Sequence, residues 1–78
     1  MKIKAKKESI QIEMIKKGFN QKSLSKAIGI HQSVVSNFLS GRSAISAINA
    51  KKMLLILGEE FDDLFYIEKN NLEEVKWN

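Results

Sequence analysis

Runs in which apolar side chains recur every three or four residues alternate along the chain with single glycines that interrupt them. That spacing is the period of an amphipathic helix. Gly18, Gly29, Gly41 and Gly58 each close such a run, where a helix commonly ends on a left-handed residue. The first helix is predicted to end at Lys17. Ile10, Met14 and Ile15 form its apolar stripe, and Lys16 and Lys17 sit at the negative end of its dipole. Asn20 is a good N-cap for a second helix over 21–28, with Leu24, Ala27 and Ile28 as its apolar positions. Gly29 and Ile30 make a tight turn, and His31 is the predicted cap of a third helix over 32–40. Ser46 caps a fourth helix over 47–57. A short fifth helix over 61–65 has Glu59, Glu60, Asp62 and Asp63 at its positive end.

The two ends read differently. Residues 1–5 alternate apolar side chains with lysine, the period of a strand. Residues 66–77 place Asn70-Asn71 between short runs holding Tyr66, Ile67, Val75 and Trp77. That suits a hairpin, because asparagine tolerates positive φ, and equally a frayed tail. The expected fold is all-α: one domain over 1–78, with a five-helix core over 7–65, a tail over 66–78 and short strand segments at the ends.

Composition removes several function classes. With 78 residues and no cysteine, the chain has little room for a deep enzyme cleft and no thiol chemistry, disulfide or cysteine-held metal. His31 is the only histidine, so no multi-histidine site exists and no cofactor is expected. As a catalytic base it lacks a partner; a capping or phosphate-adjacent role suits it better. Ser33, Ser36, Ser40 and Ser43 fit caps and a binding face better than a nucleophilic triad. No apolar run of about 18 residues suggests a membrane span. The basic N-terminus is not followed by the ~7–15-residue apolar run of a secretory signal, so the expected location is the cytoplasm.

Charge is unevenly divided. The net charge is +4, with +7 on residues 1–42 and −3 on residues 43–78. A basic half suggests a polyanionic partner. The third helix says which. At about 100° per residue, Gln32, Ser33, Ser36 and Asn37 fall on one arc and Val34, Val35, Phe38 and Leu39 on the other. A solvated helix face is usually rich in Lys and Glu. This one is short, uncharged and able to donate and accept. Gln and Asn pair bidentately with adenine in the major groove, and Ser serves either role at a base edge. Two helices separated only by Gly29-Ile30-His31 have the layout of a helix-turn-helix unit, whose second helix enters the major groove.

Here the sequence resembles the lambda repressor/Cro-like helix-turn-helix proteins, the XRE family. The resemblance runs through KKGFNQKSLSKAIGIHQSVVSNFLSGR and on to AKKMLLILGEEFDDLF. Gly18, Asn20-Gln21, Leu24, Gly29-Ile30, Gln32, Val35-Ser36, Gly41-Arg42 and Leu57-Gly58 carry it. It implies a five-helix lambda repressor-like domain that binds double-stranded DNA and regulates transcription as a phage or mobile-element repressor of Cro or C1 type. By that resemblance Gln32, Ser33, Ser36 and Asn37 match base-facing positions. Gln21 and Arg42 match backbone-contacting ones, with Asn20, His31 and Ser43 beside them. Ser25 stands where the family usually has Ala, and Glu59-Glu60 where it often has Val-Ser. The strand-like ends are reminiscent of Cro-type proteins.

The last turn of the fourth helix, Met53–Leu57, is apolar almost all round. Either the tail (Ile67, Val75, Trp77) covers it or a second subunit does. A homodimer is expected, since two recognition helices then span half-sites about 34 Å apart. A rival reading is an interaction module, the antitoxin of a toxin–antitoxin pair, whose tail binds a toxin. A toxin or antirepressor is thus a candidate protein partner. An enzyme is not expected, because no catalytic or ligand set is present.

Overall fold

A computed structural model describes residues 1–69. The elements in chain order are β1 (Lys2–Ala5), α1 (Lys7–Lys16), α2 (Gln21–Ile28), α3 (Gln32–Leu39), α4 (Ala47–Leu57), α5 (Phe61–Leu64) and β2 (Phe65–Glu68). The helix bounds agree with the sequence to within about one residue at the ends. Phe65, expected as the last residue of the fifth helix, is instead the first of β2.

Local chemistry accounts for the boundaries. The Asn20 side chain accepts a hydrogen bond from Ser23 N–H at 2.8 Å, and the Ser23 hydroxyl accepts one from Asn20 N–H at 3.0 Å. Two otherwise orphaned donors at the start of α2 are thereby satisfied. Gly29 ends α2 at φ 76°, ψ 35°. The Ile30 N–H then reaches back to the Ser25 carbonyl at 3.0 Å. A residue with a Cβ would be strained at that φ, which is why the turn between α2 and α3 can be so short. At the start of α4, the Ser46 hydroxyl accepts from Asn49 N–H at 3.2 Å.

His31 occupies the N-cap position of α3, but its side chain makes no capping bond. The backbone supplies that end instead: the His31 carbonyl accepts from Val34 N–H at 3.0 Å.

One core unites the helices. Ile10, Met14, Leu24, Ile28, Val35, Phe38, Leu39, Ala50, Met53, Leu57, Leu64 and Phe65 are buried. Phe38 and Phe65 stack at a tilt with ring centroids 5.8 Å apart, and Phe61 lies 5.2 Å from Phe65. Such pairs add to the burial of their area.

Three apolar assignments need correction. Ile15 is 77% exposed: Ile10 and Met14 lie one turn apart, and a step of five rotates the next side chain off their face. Ala27 is exposed and the neighbouring Ser25 is buried in its place. Its hydroxyl is satisfied by donating to the Lys22 carbonyl at 2.7 Å, so serine fills a small-residue position without an orphaned polar group. Val34, on the margin of its arc, is 38% exposed.

Residues 2–5 and 65–68 form strands, and these pair with each other. β1 and β2 are antiparallel, with Ile3 opposite Ile67, Lys4 opposite Tyr66 and Ala5 opposite Phe65. Tyr66 and Ile67 therefore lie on a strand whose partner is the N-terminal segment. The Asn70-Asn71 turn and the run containing Val75 and Trp77 lie outside the described residues. On its other edge β1 makes a single bridge to Ile45, whose N–H donates to the Ile3 carbonyl at 3.1 Å. At the far end of β1, Lys6 ties α1 to α5 through its N–H to the Leu64 carbonyl at 2.8 Å and its ammonium to the Asp62 carbonyl.

Candidate nucleic-acid interface

The third helix sorts its side chains by chemistry. Val35, Phe38 and Leu39 are no more than 3% exposed. Gln32, Ser33, Ser36 and Asn37 are all exposed, and no hydrogen bond within the described residues uses their side chains. The four polar groups are thus presented together, their donors and acceptors open to a partner. The packed side of the same helix fixes their orientation, since buried side chains hold the backbone in one place. α2 packs directly on α3, joined by the three-residue turn.

The segment after α3 folds back onto it. The Asn37 carbonyl accepts from Arg42 N–H at 2.9 Å, from Ser43 N–H at 3.3 Å and from the Ser40 hydroxyl at 3.0 Å. Gly41 N–H donates to the Phe38 carbonyl at 3.1 Å. The carbonyls left open at the helix end are satisfied in this way, and Arg42 is held within one turn of the exposed polar face. Arg42 is exposed and Ser43 half-buried.

At the other edge stands the start of α2. Gln21 is half-buried and Asn20 exposed. The Asn20 oxygen is committed to the cap, so what it can offer an anion is its amide N–H₂. The positive end of the α2 dipole favours negative charge at this place. Gln11, Met14, Ile15, Phe19, Asn20, Gln21 and Leu39 line an open cleft of about 390 Å³ beside it. The sequence held no signal for this cleft, because its walls come from three helices.

The nine residues expected to touch DNA therefore lie on or beside the helix-turn-helix unit: Gln32, Ser33, Ser36 and Asn37 on the outer arc of α3, Asn20 and Gln21 at the start of α2, and His31, Arg42 and Ser43 at the two ends of α3. Among the described residues no group of three or more His, Asp or Glu side chains could hold a metal ion, and no helix is long and apolar enough to cross a membrane.

Two short helices at this spacing, the second with a packed inner side and a polar outer one, define a helix-turn-helix DNA-binding domain. The helix-turn-helix family model matches residues 10–64, well over half of the chain, and the chain belongs to that family, the XRE or lambda repressor-like helix-turn-helix proteins. A comparison with the curated proteins finds no match. The match runs from the second turn of α1 to the end of α5 and leaves β1 and β2 outside it.

Proposed function

We propose that this chain is a transcriptional repressor of Cro or C1 type that binds an operator as a homodimer. The α3 helix lies in the major groove, where Gln32, Ser33, Ser36 and Asn37 meet base edges. Asn20, Gln21, His31, Arg42 and Ser43 meet phosphates on either side, positioning the helix without reading sequence. The observation that carries the reading is the outer arc of α3: four exposed polar side chains without internal partners, backed by the buried Val35, Phe38 and Leu39.

Dimerisation is supported by surface that the described fold leaves uncovered. On α4, Ile48 is 71% and Leu55 72% exposed, and on β2 Tyr66 and Ile67 are about half exposed. Ile56 is half-buried. Single exposed aliphatics are ordinary, but several large ones in one half of so small a domain mark an interaction surface. Two copies joined there present two recognition helices to an inverted repeat.

The test is duplex binding as a function of salt. The logarithm of the association constant should fall with the logarithm of salt concentration at a slope of about −0.9 for each phosphate neutralised. Arg42→Ala should weaken all duplexes alike, whereas Gln32→Ala should act at one operator position. Affinity that stays flat across salt would rule out a phosphate-binding surface here.

A further inference from the structure

The end of the recognition helix lacks something its own sequence should supply. A cation in the last turn complements the negative end of a helix dipole, and α3 has no basic residue there. The missing cation arrives from elsewhere. The Lys4 ammonium, from β1, donates to the Gly41 carbonyl at 3.0 Å across a separation of 37 residues. One residue earlier on the same strand, the Ile3 carbonyl accepts from Ile45 N–H. The segment 41–45 is therefore pinned to β1 at both ends, with Arg42 and Ser43 between the pins. β1 is in turn fixed along its other edge by pairing with β2. An arginine in a short loop gains grip on a phosphate only if the loop is already in place, because ordering it on binding costs affinity.

We infer that Lys4 is a positioning residue for DNA binding: its bond to Gly41 holds the loop so that Arg42 is pre-set for the phosphate backbone. The inference rests on the reading of Arg42 as a phosphate contact. It makes the N-terminal strand, which lies outside the family match, part of the DNA-binding apparatus. Lys4 acts through the loop and not as a further phosphate contact.

The full chain is tested as Lys4→Met, Lys4→Arg, Arg42→Ala and the double variant Lys4→Met/Arg42→Ala, each titrated with a mixed-sequence duplex over a range of salt. Lys4→Met should weaken binding by about threefold to tenfold, the size of coupling seen between residues of one network. Lys4→Arg, which can still donate to the carbonyl, should restore most of it. In the Arg42→Ala background, Lys4→Met should cost less than about twofold. Without DNA, Lys4→Met should speed hydrogen exchange at the Arg42 and Ser43 amides while leaving those of α1 and α4 unchanged.

Losses that multiply in the double variant, with the salt slope dropping by about 0.9 for each substitution, would make Lys4 an independent phosphate contact and overturn the inference. Unchanged exchange at Arg42 and Ser43 would overturn it as well. If Arg42→Ala costs no affinity, the reading of Arg42 fails and the inference with it; that result is distinct from multiplying losses.

Discussion

The α3 and α4 helices pack against the same core and differ on the side turned away from it. α3 shows Gln32, Ser33, Ser36 and Asn37, and α4 shows Ile48 and Leu55, one on either side of Lys51 and Lys52 along the chain. Neither outer face resembles the Lys/Glu pattern of a helix that merely meets water. Short uncharged amides and hydroxyls suit a partner with an ordered set of donors and acceptors, such as base edges. Large exposed aliphatics suit a partner that removes them from water. On the function proposed above, the two helices divide between them the two things an operator-binding dimer needs, a reading face and a joining face. That division can be broken from either side.

The largest effect should come from the inner side of α3, which both functions depend on. Phe38 is fully buried against Phe65, and Phe38→Ala should cost about 3–5 kcal/mol. That is a large part of the ~5–15 kcal/mol that holds a typical domain together, so denaturant melts should show a chain largely unfolded near body temperature. A variant that melts like the wild type would mean that α3 is not anchored as described.

Next in size is the joining face. Leu55→Glu introduces charge into the aliphatic surface of α4 and should weaken a dimer by ~2 kcal/mol or more, the scale of a central interface residue. Sedimentation should then show monomer at concentrations where the wild type is dimeric, with helical content unchanged, since Leu55 makes little of the core. A strictly monomeric wild type at high concentration, free and on DNA, would remove the joining role from α4.

The smallest effect concerns neither face. Glu13 of α1 and Glu59, in the turn before α5, share a hydrogen bond. It holds the Glu13 carboxyl below its ordinary range, helped by Lys16 at 3.5 Å and Lys17 at 3.7 Å, and pushes that of Glu59 above it. A carboxyl raised in the folded state keeps its proton longer than in the unfolded chain. Stability from Glu59 therefore falls as pH rises from the ordinary carboxylate value through the raised one. Glu13 acts oppositely, its contribution being lost only as pH drops through its lowered value. Glu59→Gln should flatten the first slope and raise the melting temperature slightly at neutral pH, with no gain in acid. Both residues are half-buried at the surface, where solvent still screens the interaction, so the effect is small. Identical melting curves across pH would show that the pair carries no linkage.

Much of this molecule was legible in local signals. The helix bounds followed from glycine positions and from Asn20 and Ser46, whose caps need only residues three apart. The outer arc of α3 followed from helical period alone. What was not legible depends on distant partners. Ile15 and Ala27 read as core until neighbouring helices determine which side is covered. The partner of the tail's first residues could not be told from Asn70-Asn71, because β2 pairs with a strand some 60 residues earlier in the chain. Lys4 looked like one lysine among several in a basic segment, and only the fold brings it to Gly41. Ser25 was visible as a departure from the family pattern, but its burial, and the bond to the Lys22 carbonyl that makes burial tolerable, depend on the helices packed around it.

The reading face is the central claim, and selection of binding sites from random duplex DNA tests it most directly. The wild type should be run beside Gln32→Ala and Asn37→Ala, with Val35→Ala as the packing control. The wild type should enrich an inverted repeat. Gln32→Ala and Asn37→Ala should each relax one or two base pairs per half-site, by ~1–3 kcal/mol of discrimination, with melting temperatures near that of the wild type. Val35→Ala should melt earlier, by about 2 kcal/mol of stability, and return the same motif. No enriched sequence, or one motif shared by the wild type and both polar variants while Val35→Ala alters it, would contradict the placement of α3.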